Sequence, residues 1–337
     1  MSSQNSQNKL FMAGTIAGIT IQNRLFAPPM ASRSATEHGL LTQKTLNYYD
    51  LLTQSHELGM VIAEHHFIDP LGRADPHQLS AACNDALEGL AKLAQHIHQR
   101  GAAAVLQINH AGRVADCEGA LVGPINQLNE RYHKQVHALT PEGIAKLCAA
   151  FAHAAQRAKT AGFDGVEIHA AHGYLLSQFI SPLSNTRTDA YGGNIYNRGR
   201  FAVEVIQAVR AAVQDFPVFI RFGTYDGVSE GTSIADCAIL GRMFQDAGVD
   251  AIDISGGLYG YAFDDRKQLD AYFVPEAQAV KAHTTIPVML AGGITKPEVA
   301  QRLVKQQGFA LIGVARQLLR NPLWPLQAKE LLSKTKE

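Results

Sequence analysis

Within residues 162–200, GFDGVEIHAAHGYLLSQFISPLSNTRTDAYGGNIYNRGR, His169, His172 and Tyr174 fall where an apolar run breaks into a glycine-containing turn. Two imidazoles and a phenol set this close can each donate to or accept from a reacting oxygen, which suits proton transfer and hydrogen bonding to substrate. The run before them, Phe163 to Ile168, reads as a short buried strand. Such strands lie between neighbours in a parallel sheet, and their C-terminal exits form the rim where side chains converge on a ligand.

The elements that must carry this rim repeat along the chain. Strand candidates are Arg24 to Met30, Met60 to His66, Ala104 to His110, Gly165 to Ala171, Val218 to Gly223, Ala251 to Gly256, Pro287 to Gly292 and Ala310 to Ala315. Between them, Thr45 to Leu58, Leu87 to Arg100, Pro141 to Thr160, Arg200 to Gln214, Ser233 to Ala247, Pro275 to Ala282 and Pro297 to Lys305 carry apolar residues at helical spacing. Eight strands alternating with helices predict a single (β/α)8 TIM barrel, an α/β fold. A doubly wound sheet would need a glycine-rich phosphate turn after the first strand, where this chain has Pro28-Pro29-Met30. One domain spanning residues 1–337 is expected, with residues 1–9 and 333–337 loose.

Composition narrows the class. The chain has 337 residues, 46% apolar and 18% charged, with 30 basic and 30 acidic side chains. No long-range field therefore favours nucleic acid or an acidic membrane, and a small-molecule partner is expected. The N-terminal MSSQNSQNK lacks an apolar core and no run is long enough to cross a bilayer, so the expectation is a cytoplasmic protein with no membrane association. Cys83, Cys117, Cys148 and Cys237 are far apart, which argues against iron-sulfur ligation or structural zinc.

If the barrel closes, the strand ends form one face. It would carry Pro28, Pro29 and Met30, then His65 and His66, then Gln107, Asn109, His110 and Arg113. Next come His169, His172 and Tyr174, then Arg221, Ser255, Gly256, Gly292, Gly293 and Arg316. Backbone amides beside glycines after strand seven and an arginine after strand eight are what a phosphate needs, so a phosphorylated ligand is implied.

The segments NRLFAPPM at 23–30, QINHAGR at 107–113, HAAHGY with the following SQFISPLSNTRTDAYGG, and ARQLLRNP at 315–322 resemble the old yellow enzyme family of FMN-dependent ene-reductases. The resemblance runs from Leu10 to Pro325. It implies FMN lined by the backbone at Pro28, Pro29, Met30 and His65, with Gln107 on its pyrimidine edge and Arg221 near N1. Gly292, Gly293, Ala315 and Arg316 would hold the phosphate. It further implies NADPH or NADH as reductant, ping-pong kinetics, and hydride transfer from flavin N5 to an electrophilic alkene whose carbonyl or nitro oxygen rests on His169 and His172. Tyr174 would either protonate the α-carbon or orient substrate while water delivers the proton. Members commonly form homo-oligomers, dimers or tetramers.

Departures from the family pattern are Ala31 in place of a flavin-tuning cysteine, Arg33 at a substrate-contacting position, His65 and His66 in place of small residues, and Tyr196 in place of a glutamate. His110 reads as a turn or packing residue, and Arg113, Arg187, Asp189, Arg198 and Arg200 as a buried ion network that fixes the loop after the fourth strand. Two other readings compete. The rim histidines would suit a metal-dependent barrel hydrolase, although the HxH and aspartate such a site needs are missing from strands one and eight. The alternative is a flavin-binding redox module without activity on alkenes.

Overall fold

The computed structural model describes residues 9–334 except 132, 262, 264 and 267. The chain opens with a hairpin, β1 (Gly14–Ile16) and β2 (Ile19–Ile21), turned by Ala17 and Gly18 with φ of 49° and 81°. Two consecutive positive φ values give the turn whose twist matches that of its strands. Then follow β3 (Leu25–Ala27), α1 (Gln43–Leu52), β4 (Met60–Phe67), α2 (Leu87–His98), β5 (Ala103–Asn109), the short strands β6 (Leu121–Gly123), β7 (Gln127–Asn129) and β8 (Lys134–Ala138), and α3 (Pro141–Thr160). The second half runs β9 (Gly165–Ala170), α4 (Leu175–Ile180), α5 (Ile195–Val213), β10 (Val218–Gly223), α6 (Ile234–Ala247), β11 (Ala251–Ser255), α7 (Val274–His283), β12 (Val288–Ala291), α8 (Pro297–Lys305), β13 (Ile312–Gly313), α9 (Arg316–Arg320) and α10 (Trp324–Lys334).

Eight strands close on themselves in the order β3-β4-β5-β9-β10-β11-β12-β13, every neighbour parallel. This is the expected (β/α)8 barrel. Its strands alternate between two apolar cores. Outward residues such as Val61, Leu106, Ile168, Ile220 and Ile254 pack beneath the helices. Inward residues Phe26, Met60, Ile62, Val105, Phe219, Met289 and Leu311 fill the barrel's lower half, and Ile16, Ile19 and Ile21 of the hairpin close it from below. Each fully buried aliphatic or aromatic side chain of this kind contributes about 1.5–3 kcal/mol.

Helix boundaries follow local chemistry. Thr140 caps α3 through its hydroxyl, with Pro141 as first residue, while Ser233 and Asp236 form a capping box on α6 that ends at Gly248 in the left-handed region. Several expectations need correction. The first and last barrel strands are shorter than expected, because at the rim the backbone leaves its neighbours to form ligand-facing loops. The helix expected from Arg200 begins at Ile195, where Asn194 accepts the N–H of Asn197. Lys9 belongs to a helical turn over Lys9–Phe11, and Ser333 and Lys334 complete α10, so these terminal residues carry regular structure. Residues 1–8 and 335–337 lie outside the described residues. Among the described residues no helix is long and apolar enough to cross a membrane.

Candidate active site

At the C-terminal rim a cavity of about 940 Å³ opens. Its walls include His169, His172, Tyr174, His65, Gln107 and Arg221, and also Pro28, Pro29, Met30 and Arg33. Gly292, Gly293, Ala315 and Arg316 line its far end. All the residues singled out above as catalytic, substrate-binding or cofactor-binding therefore share one space.

The end of β9 sets the candidate side chains. After His169 the chain bends sharply through His172 (φ 58°) and Gly173 (φ 73°), both in the left-handed region. A Cβ on Gly173 would lie 2.3 Å from the Leu258 carbonyl oxygen, so glycine is required there. The non-glycine strain at His172 is held by its backbone N–H, which donates to Gly256 O at 3.1 Å. The His169 and His172 rings meet edge to face at 5.0 Å, and the Tyr174 ring meets His169 at 5.1 Å.

Hydrogen bonds select the tautomers. His169 Nδ1 accepts the Ala171 backbone N–H at 3.2 Å, leaving the proton on Nε2. Ser255 Oγ accepts from Arg221 Nη2 at 3.2 Å and lies 2.7 Å from His172 Nε2; when that hydroxyl donates to the ring, His172 carries its hydrogen on Nδ1. Burial pushes both imidazoles well below their ordinary range, with the neighbouring imidazoles and the Arg221 guanidinium adding to it. Both rings are thus neutral N–H donors at pH 7.

Beneath them lies a buried polar layer. Gln107 Nε2 donates to Glu167 Oε1 at 2.8 Å, and Arg221 Nε lies 3.3 Å from Asp253 Oδ2. Burial raises Glu167 well above the carboxylate range, aided by the negative Asp253, and raises Asp253 to about 6 against the pull of Arg221. Among the described residues Arg221 Nη1, though buried, has no hydrogen-bond partner.

Strand β4 carries a bulge: Ala63 pairs with Leu106 and His66 with Ile108, so Glu64 and His65 stand together opposite Gln107. A bulge re-aims side chains, and here both Glu64 and His65 face the cavity. Glu64 accepts the Ser32 N–H at 2.8 Å, and burial raises it to about 7. His66, expected on the rim, is instead buried away from the cavity, with Nδ1 2.6 Å from Glu64 O, because the bulge turns it outward. Arg33 stands at the mouth, 74% exposed and paired with Asp75 at 3.3 Å.

At the far end Gly292 and Gly293 have φ of 123° and 68°, and a Cβ on either would approach the Tyr272 ring within 3 Å. Arg316 Nη2 reaches Tyr272 Oη at 3.5 Å. His110 is a packing residue: its ring lies against Gly72 and its Nδ1 accepts the Gly112 N–H. The loop after β9 is fixed by ion pairs, Arg187 with Asp189 and Arg198 with Asp236, together with guanidinium bonds to carbonyls. Arg187 binds Pro124 O and Leu139 O, Arg198 binds Ile180 O and Gly193 O, and Arg200 binds Ala190 O. Arg113 contributes its backbone N–H, which donates to Gln178.

Sequence reasoning passed over Glu64, Gln78, Glu167, Asp253 and Tyr261, all part of the site or its supporting layer. A signal existed for two of them: a carboxylate inside the apolar strands GVEIHA and AIDIS, two residues before His169 and Ser255. Gln78 and Tyr261 come from loops whose course no local pattern encodes.

Residues 9–335 match the NADH:flavin oxidoreductase / NADH oxidase family. The NADPH dehydrogenase of Halalkalibacterium halodurans is 35% identical over 323 residues, covering 96% of this chain and 94% of that protein. Two solved structures share the barrel fold at 24% identity: a 2-naphthoyl-CoA reductase complex (TM-score 0.87), of which this chain covers 52% while 96% of this chain is matched, and an old yellow enzyme homologue from Zymomonas mobilis (TM-score 0.82), with 96% of this chain and 93% of that chain covered. The chain belongs to the NADH:flavin oxidoreductase / NADH oxidase family, and is an FMN-dependent NAD(P)H oxidoreductase.

Proposed function

We propose that this member of the NADH:flavin oxidoreductase family reduces activated C=C bonds, those conjugated to a carbonyl or nitro group, at an FMN held by its barrel domain. The observation that carries the reading is the pair of neutral imidazoles, His169 and His172, 5.0 Å apart in the wall of a cavity that also contains Tyr174 and Arg221.

The residues fit FMN. Arg221 Nη1 is a buried cation nitrogen without a hydrogen-bond partner among the described residues, which an electron-rich pyrimidine edge would satisfy. Gln107 stands beside it, while Pro28, Pro29, Met30 and the His65 backbone would flank the ring. Gly292, Gly293, Ala315 and Arg316 would hold the phosphate at the other end. Bound there, FMN supplies the capacity to take a hydride from NADH or NADPH and pass one to an alkene.

The chain's own contribution is orientation and charge. His169 Nε2–H and His172 Nδ1–H grip the carbonyl or nitro oxygen and stabilise the negative charge that grows on it as the alkene is reduced. Being neutral, they donate without trapping an anionic product. Tyr174 delivers the proton to the α-carbon, a role suited to a phenol in contact with His169.

The test uses purified protein with its FMN, NADPH and cyclohex-2-enone. We expect loss of enone absorbance with ping-pong kinetics. Each anchoring donor is worth about 10²–10³ in rate, so H169A/H172A should lose about 10⁴–10⁶ in kcat/KM while keeping the flavin spectrum. Flavin that NADPH bleaches and the enone never recolours would overturn the reading in favour of a redox module.

A further inference from the structure

Resting on that reading, we propose that His65 is a third oxygen-anchoring side chain, which selects alkenes whose activating group carries two acceptor oxygens. Nitro groups, imides and conjugated carboxyl groups fit this description; a simple ketone does not.

The β4 bulge turns His65 into the cavity, where its ring lies 5.4 Å from that of Tyr174 and 6.2 Å from that of His169. It is not a passive filler, because its tautomer is locked. Gln78 Oε1 accepts the Ala74 N–H at 2.7 Å, which fixes the amide's orientation. Gln78 Nε2 must then donate, and it reaches His65 Nδ1 at 2.7 Å and His65 O at 3.0 Å. With Nδ1 an acceptor, the ring's hydrogen sits on Nε2. Asn109 Nδ2, 3.5 Å from the same Nδ1, is a second donor on that side. Burial lowers His65 to about 4, so the ring is neutral in the working pH range.

The cavity wall thus holds three imidazole N–H donors in sequence: His172, His169 and His65. A single carbonyl oxygen has two lone pairs, which His169 and His172 already match. A third donor gains only if the substrate brings another acceptor, since a desolvated N–H left unpaired costs about 1–3 kcal/mol. A two-oxygen head group satisfies all three, whereas a one-oxygen head group satisfies two and dries the third. The wall therefore discriminates between substrates by donor count.

The test compares 1-nitrocyclohexene with cyclohex-2-enone on wild type, H65F, which keeps a ring but no N–H, and H65Q, which restores a donor. We expect the ratio of kcat/KM values, nitroalkene over enone, to fall about tenfold in H65F, as loss of one hydrogen bond implies, and to recover to within about threefold of wild type in H65Q. Calorimetric titration of the oxidised holoenzyme with nitrobenzene and benzaldehyde reads the same preference without turnover. Should H65F not fold, H65A serves for both ratios. Equal ratios in wild type and the donor-less variant, in kinetics and binding, would overturn the proposal while leaving alkene reduction intact. Absence of turnover on both alkenes by wild type would instead defeat the reading of the reaction, and the titration ratio would still decide the role of His65.

Discussion

Along β5, β9, β10 and β11 the inward-facing positions change character halfway up the barrel. Below are Ala103, Val105, Phe219 and Ala251, sealed by the isoleucines of the N-terminal hairpin. Ile19 of the hairpin packs beside Gly165 of β9, its Cδ1 3.4 Å from where a Cβ there would stand. Above, on the same strands, are Gln107, Glu167, His169, Arg221, Asp253 and Ser255, all buried. Most of the described buried side-chain atoms without a hydrogen-bond partner belong to this upper half: Asn109 Oδ1, Glu167 Oε2, Arg221 Nε and Nη1, and both Asp253 oxygens. The lower half stabilises the fold by excluding water. The upper half holds desolvated polar groups in fixed positions, which is unfavourable for folding and useful for binding a polar ring.

The contrast is open to direct attack. Removing the fully buried Phe219 ring by Phe219→Ala should cost about 4 kcal/mol, seen as a lower denaturation midpoint at unchanged slope; a cost under about 1 kcal/mol would mean that the lower layer is not close-packed. Arg221→Met should cost flavin-stripped protein about 3 kcal/mol at pH 7, because it leaves the Asp253 carboxylate buried without its counter-charge. Glu167→Gln, in the same layer, should cost less than about 1 kcal/mol at pH 7, since burial already keeps that carboxyl protonated. Equal costs for the last two would mean that Glu167 is ionised and the layer's charge is misassigned.

The smallest effect sharpens the comparison through pH. His65 is lowered from 6.5 to about 4, so between those values the unfolded chain carries a proton that the native state lacks. Its contribution to stability is therefore complete above 6.5 and lost as pH falls toward 4. H65F should flatten stability against pH in that window by up to about 1.4 kcal/mol per pH unit, less where cavity water screens the ring. Asp253, raised from 3.8 to about 6, works in the opposite sense: its contribution is complete below 3.8 and lost as pH rises through 6. Asp253→Asn should therefore remove a fall in stability across that range, and urea midpoints measured from pH 4 to 7 for the two variants should diverge.

Much of the barrel was legible because strands and helices announce themselves locally. Apolar runs bounded by glycine and proline marked all eight barrel strands, and Pro141 and Ser233 marked helix starts. The short elements were not legible. The hairpin of β1 and β2, the small sheet of β6 to β8 and the six-residue α4 are too brief for a periodic pattern, and α10 lacks a strong stripe near the chain's end. His169, His172 and Tyr174 stand at and just after a strand exit, a position legible from the apolar run that precedes them. Glu167 and Asp253 lie inside apolar strands, where the surrounding core residues hide them.

Alternation and motif spacing by themselves determined the closed barrel and the list of groups at its rim, because periodicity 2 in strands and 3.6 in helices is written into neighbouring residues. Only the tertiary structure decided which of two adjacent histidines faces the cavity, which nitrogen of His65 and of His169 carries the hydrogen, and which carboxyl groups burial pushes above the usual carboxylate range. A one-residue bulge against β5, an amide from a distant loop and the loss of water are contacts between segments far apart in the chain, and no local pattern records them.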